Sequence, residues 1–241
     1  LEVVAHNLNR RNNELRLFEF GKTYSTEGSG KYEEPEHLCV YLTGKNGKDS
    51  WRNKPGATDF FVLKGIVKRV LQQLGLESEE YQPLQYPKFS NGLQVLVQRK
   101  PVVQLGTVSK ATLDRFDVRQ PVYFADFNWT LLASMAAGTK QAFREIPRFP
   151  AVQRDLAMIV SSQLAYEEVE KTIRKIKLSK LQDLQLFDIF ESDKIGAGKK
   201  SIALSFTFQD EEKTLTDKEI DNWMSKIMTT LEKDLQAELR K

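Results

Sequence analysis

A single cysteine, Cys39, leaves the chain unable to close an internal disulfide, which fits a reducing compartment. Two histidines, His6 and His37, leave little general acid/base capacity near neutrality, and neither has a Cys or acidic neighbour at metal-ligand spacing. No Ser/His/Asp or Cys/His arrangement for nucleophilic catalysis is recognisable, and Cys39, inside the apolar run His37 to Leu42, reads as a buried strand residue. No run of about 18 apolar residues occurs, so no membrane span is expected, and no charged-then-apolar leader opens the chain. The glycine-rich Ile195-Gly-Ala-Gly-Lys-Lys-Ser201 lacks the spacing of a phosphate loop: the first glycine position falls on Asp193, and Lys200 stands where Ser or Thr is needed. It joins strand to strand, so no helix N-terminus is there to receive a phosphate.

What is present is the composition of a globular protein. With 40% apolar and 29% charged residues, 241 positions suffice for one large or two modest domains, each with a core. The chain opens on Leu1 in what reads as the tail of a helix, without an initiator Met, and is expected to be a piece of a longer protein. Net charge is +3, divided into +4 before Arg144 and −1 from Arg144 onward, where 17 basic residues face 18 acidic ones. A general attraction to nucleic acid is therefore not expected of the second part, and any such contact must come from a local patch.

In the first part, Leu15 to Tyr24 and Leu38 to Thr43 read as strands separated by a Gly/Ser/charged loop, Thr26 to Glu36. From Asp59 to Leu74, Phe60, Leu63, Val67, Val70, Leu71 and Leu74 recur at helical spacing, and Gly75 supplies a stop. Lys64, Lys68 and Arg69 then lie on a solvated face. Leu93 to Gln98 and Val102 to Val108 read as a hairpin turning at Arg99-Lys100-Pro101; Val122 to Asn128 reads as a strand and Thr130 to Ala137 as a short helix. The implied class is α+β on a mainly antiparallel sheet.

The second part reads as strand Leu156 to Val160, helix Tyr166 to Leu178, strands Leu184 to Glu191 and Ser201 to Phe208, and a final helix. That helix is signed at its start by a capping box, Thr216 and Glu219, with Leu215 and Ile220 in the hydrophobic-staple positions. Ala237 to Arg240 is a candidate fourth strand, which completes the split βαβ, ferredoxin-like order. Burying Ile202, Leu204, Phe206 and Phe208 under the helices gains about 1.5–3 kcal/mol each, and it turns Ser201, Ala203, Ser205 and Thr207 outward. Phe206 and Phe208 thus have the buried parity, unlike the exposed aromatics of an RNA-recognition motif. On the neighbouring strand the parity of Asp188 and Phe190 is favoured for the outward face, with Phe187 and Ile189 as the alternative.

Between the parts runs Phe143 to Val160, FREIPRFPAVQRDLAMIV, where Pro147 and Pro150 stiffen a connector carrying Arg144, Arg148 and Arg154. P-R-F-P-A-V-x-R-D-L-A-M-I-V resembles the start of the ferredoxin-fold anticodon-binding domain of bacterial phenylalanyl-tRNA synthetase β subunits. The resemblance continues through LQLFDIFESDKIGAGKKSIALSFTFQD and KTLTDKEID, and upstream through NLNRR and LRLFEFGKTY. It implies a catalytically silent class II synthetase-like domain over residues 1–142, a connector over 143–153 and an anticodon-binding domain over 154–241. The class II fold needs a motif 2 arginine beside a glutamate and a glycine-rich motif 3 segment ending in arginine. Arg16-Leu-Phe-Glu19 is at most a remnant of the first, the second is missing, and no catalytic residue is assigned.

The resemblance further implies an α2β2 ligase of the cytoplasm, with ATP and Mg²⁺ used by the α subunit, editing and tRNA-binding domains upstream of Leu1, and no metal or cofactor in this chain. Asp188 and Ser201 are the implied base contacts for phenylalanine tRNA, followed by Ala203, Phe190 and Ser205. A carboxylate accepts from a guanine edge, and an aromatic ring stacks a splayed base. Arg148, Arg154, Lys199 and Lys200 are candidates for the RNA backbone, with Arg154-Asp155 equally able to be an internal ion pair or to hold the domain in place. On the residues alone, Asp188 could instead pair with a lysine. Two other classes stay open: a regulatory protein binding a small molecule between paired ferredoxin-like domains, and a scaffold whose open surfaces are protein interfaces.

Overall fold

The structure is a computed structural model that describes residues 1–76, 79–139, 147–192 and 195–240. The chain divides into two compact units, Leu1–Ala142 and Phe143–Lys241.

In the first unit, β1 (Leu15–Lys22), β4 (Glu36–Thr43), β5 (Glu79–Pro83), β6 (Phe89–Val97), β7 (Lys100–Val108) and β8 (Val122–Asn128) form one antiparallel sheet in the order β1-β4-β8-β7-β6-β5. Alternation along β4 buries Leu38, Val40 and Leu42 against Leu63, Val67 and Leu71, which recur every fourth residue on helix α2 (Phe60–Gln73). Asp59 caps that helix by accepting from the Val62 N–H at 2.9 Å. Asn128 starts α4 (Trp129–Ala136) in the same way, accepting from Leu131 at 3.0 Å. A smaller core joins Val4 of α1 (Glu2–Leu8) and Leu113 of α3 (Lys110–Asp114) to Leu15, Val108, Val118 and Val122.

Three local features depart from the sequence reading. The loop at 26–36 contains a hairpin, β2 (Ser25–Gly28) with β3 (Lys31–Glu33). Strand β5 and helix α3 carry too few apolar repeats to announce themselves, whereas α1 is the helix tail expected at the start of the chain. The β6–β7 turn is Gln98-Arg99, both at positive φ (50° and 65°), as a two-residue hairpin of primed type requires. Pro101 therefore lies inside β7, where a register shift between Val95 and Leu96 accommodates its missing N–H.

In the second unit, β9 (Val152–Ser161), β10 (Leu181–Phe190), β11 (Lys199–Phe208) and β12 (Glu238–Arg240) form an antiparallel sheet in the order β10-β11-β9-β12. With helices α5 (Tyr166–Lys175) and α6 (Asp217–Leu235) between strands, the topology is the expected split βαβ, including the fourth strand. Ile202, Leu204, Phe206 and Phe208 are fully buried with Val169, Ile173, Ile220, Ile227 and Leu231. Phe208 stacks on Trp223 of α6 with ring centroids 5.5 Å apart. Glu219 closes the capping box by accepting from the Thr216 N–H at 3.0 Å and its hydroxyl at 2.8 Å. Residues 143–146 of the expected connector lie outside the described residues; beyond them, Gln209 donates to the Phe149 carbonyl at 2.8 Å, holding the start of β9 to the end of β11.

Candidate nucleic-acid interface

Both helices of the second unit lie on one face of its sheet, so the register decides what the other face offers. On β11, Ser201, Ala203, Ser205 and Thr207 have the parity opposite to the core residues. Strand β10 begins with Leu184 and Leu186 opposite Phe206 and Leu204, facing the helices. Strict alternation from there would send Asp188 into the core. A bulge intervenes: Leu186 pairs with Leu204 and Asp188 with Ala203, so Phe187 is an extra residue and the parity switches. Asp188 and Phe190 consequently share the open face with Ala203 and Ser201, while Ile189 lies opposite Ile202. This explains why the sequence left two parities open.

The open face can be read as cross-strand rows. One is Phe190, Ser201, Ile159 and Glu238; the next is Asp188, Ala203 and Ala157; the third is Gln185, Ser205 and Asp155. Asp188 and Phe190 are exposed, the ring at 53%. Ser201 has the outward parity but is only 8% exposed, placed between Phe190 and Ile159 in its row. Among the described residues no cation lies within bonding distance of Asp188, so none of these forms the lysine pair considered for it.

The basic candidates are differently placed. Arg154 lies opposite Phe206, with the helix-facing parity, and its guanidinium pairs with Asp217 at the start of α6 at 2.7 Å. That is the internal ion pair, and it takes Arg154 off the open face. Lys199 pairs with Glu238 of β12, and Lys200 donates to the Ser162 carbonyl at 2.9 Å. Arg148 is exposed in the connector.

Two sites of the first unit also needed the fold. His37 finds its acidic partner far away in sequence, on β8: His37 Nδ1 lies 2.7 Å from Asp126 Oδ1, and Nε2 lies 3.1 Å from the Thr23 hydroxyl. The contact ties the base of the β2–β3 hairpin to the middle of the sheet. Cys39, opposite Asp126 on the face away from α2, is half-buried and not a core residue. Burial first, and the Asp126 carboxylate second, push its thiol up to about 11. Arg16 and Glu19, three residues apart on one strand, point to opposite faces, Arg16 reaching Asn46 and Glu19 lying opposite Cys39.

Against this geometry the comparisons with known proteins are specific. Residues 1–129 match the family model described as the phenylalanyl-tRNA synthetase beta chain CLM domain, more than half of the chain. The chain belongs to the phenylalanyl-tRNA synthetase β chain family. Residues 147–240 match the ferredoxin-fold anticodon-binding domain, so the open sheet just described lies inside a recognised anticodon-binding module. The phenylalanine–tRNA ligase β subunit of Bacteroides fragilis is 38% identical over 251 aligned residues, covering 100% of this chain and 31% of that protein. That of Dehalococcoides mccartyi is 36% identical over 94% of the chain, and that of Streptococcus pneumoniae 33% identical over all of it. The chain thus spans about a third of these β subunits' length. Among solved structures, the pyrrolysyl-tRNA synthetase of Desulfitobacterium hafniense matches with a TM-score of 0.44 at 14% identity, over 57% of this chain and 47% of that one.

Proposed function

We propose that this chain is the C-terminal part of the β subunit of a phenylalanine–tRNA ligase, and that its second unit holds the anticodon loop on the open face of the β9–β12 sheet. The observation that carries this reading is the carboxylate of Asp188, with no cation bonded to it among the described residues, beside exposed Phe190 and an alanine floor. The carboxylate accepts hydrogen bonds from a base edge bearing donors, the ring stacks an unpaired base, and Ala203 lets the base come close to the strand. Ser205 adds a hydroxyl that donates or accepts, and Ser201, nearly covered, supports the floor. Arg148, Lys199 and Lys200, by exchanging partners, attract the phosphates.

In this reading the first unit has no chemistry of its own and supports a catalytic α subunit in an α2β2 assembly of the cytoplasm. ATP and Mg²⁺ are assigned to that partner and to no group of this chain.

The test is a fluorescence-anisotropy titration of a phenylalanine-tRNA anticodon stem-loop into the chain, repeated with a scrambled loop and with Asp188→Ala, at low and physiological salt. A charge-assisted hydrogen bond is worth about 1.5–3 kcal/mol, so Asp188→Ala should weaken the cognate loop roughly ten- to a hundredfold and leave the scrambled one unchanged. Equal, salt-sensitive binding of both loops would reduce the face to a phosphate-attracting patch and refute base reading.

A further inference from the structure

The third row of the open face has a further carboxylate, Asp155, which no sequence feature singled out because Arg154 beside it suggested an internal pair. The ion pair of Arg154 goes instead to Asp217, on the helix side. Asp155 is left on the opposite face, exposed, with no hydrogen-bonding or ionic partner among the described residues, in a row with Ser205 and Gln185. On standard strand spacing, Asp155 and Asp188 are two strands and two residues apart, about 12 Å on the diagonal. One base cannot meet both. The alanines Ala203 and Ala157 lie between them and raise no side chain that would separate two adjacent nucleotides.

From this we infer that Asp155, Ser205 and Gln185 form a second base-reading position, distinct from that of Asp188, for a base carrying an exocyclic amine beside a ring acceptor, as adenine and cytosine do. The inference rests on the anticodon-binding reading above. Asp155 accepts from the amine, while the Ser205 hydroxyl or the Gln185 amide donates to the neighbouring ring nitrogen. A base presenting a carbonyl to Asp155 is rejected, because acceptor would meet acceptor. Asp155 is thereby a specificity-determining residue, and the two carboxylates require a loop whose bases are splayed across the sheet.

The test uses the full-length ligase and phenylalanine tRNA transcripts in which each anticodon base in turn is replaced by uridine, with binding measured for wild type, Asp155→Asn, Ser205→Ala and Asp188→Ala. Thermal melts of each variant establish that it is folded. At one position the wild type should lose about tenfold or more on replacement while Asp155→Asn loses nothing further, and Ser205→Ala should be coupled to that same position. Asp188→Ala should be coupled to a different one. Wild-type discrimination in Asp155→Asn, or a weakening equal at every position, overturns the inference while leaving the Asp188 reading intact. If neither carboxylate affects discrimination among the transcripts, the anticodon-binding reading of this face fails with it.

Discussion

Glu219 shows how far one side chain's surroundings determine its titration. Bonded to Lys213, the Thr216 N–H and the Thr216 hydroxyl, its carboxyl is held at about 2, against an ordinary value of 4.5. A depressed folded-state value stabilises the fold fully above the ordinary value, and the contribution is lost as pH falls from about 4.5 to about 2. Asp210 acts in the same direction: the Glu212 N–H and Lys180, at 2.9 Å, lower its carboxyl. Urea melts of the chain across that acid window should therefore show a stability loss that Glu219→Gln makes shallower; an unchanged slope would mean the bonds do not persist in solution. Cys39 gives a second residue-scale expectation. With its thiol pushed up to about 11, little thiolate exists near neutrality, so a thiol reagent should label it far more slowly than an exposed cysteine until denaturant is added. Rapid labelling of the native chain would place it elsewhere.

At the scale of elements, alternation and capping were legible and irregularities were not. The core parity of β11, the stop at Gly75, the capping box of α6 and the strand at β8 follow from periodicity and cap chemistry that any reader of the sequence can apply. What was hidden depends on pairing between distant segments. Nothing local marks Phe187 as the residue that steps out of register, because a bulge is a property of two strands, and the face of Asp188 depends on it. For the same reason Asp155 could not be distinguished from an ion-pair partner of Arg154, nor His37 linked to Asp126. The parity itself can be tested on β11: Phe206→Ala should cost about 3–5 kcal/mol by opening a cavity, whereas Ser205→Ala should stay within about 0.5 kcal/mol. Comparable losses would put the sheet in the wrong register. The Gln98-Arg99 turn offers the opposite sign. Arg99 holds a φ of 65° that glycine adopts without penalty, so Arg99→Gly should hold stability or raise it despite the greater freedom of the unfolded chain, while Arg99→Val should lower it.

For the whole molecule, the question is which of its properties belong to each unit. The second unit has its own core around Phe206, Phe208, Ile220 and Leu231, a sheet with both edges formed from its own chain, and an anticodon-binding match confined to residues 147–240. Those are the attributes of a domain that folds alone. A fragment of residues 143–241 should thus unfold in one cooperative transition, with calorimetric and van't Hoff enthalpies in agreement. If the open face is the whole interface, the fragment should also retain the Asp188-dependent preference for the cognate loop. A fragment that folds cooperatively but binds no loop would assign part of the interface to residues outside it. A fragment that melts without cooperativity would mean that the core assembled here depends on the first unit, and that the carboxylates of the open face are positioned only in the longer chain.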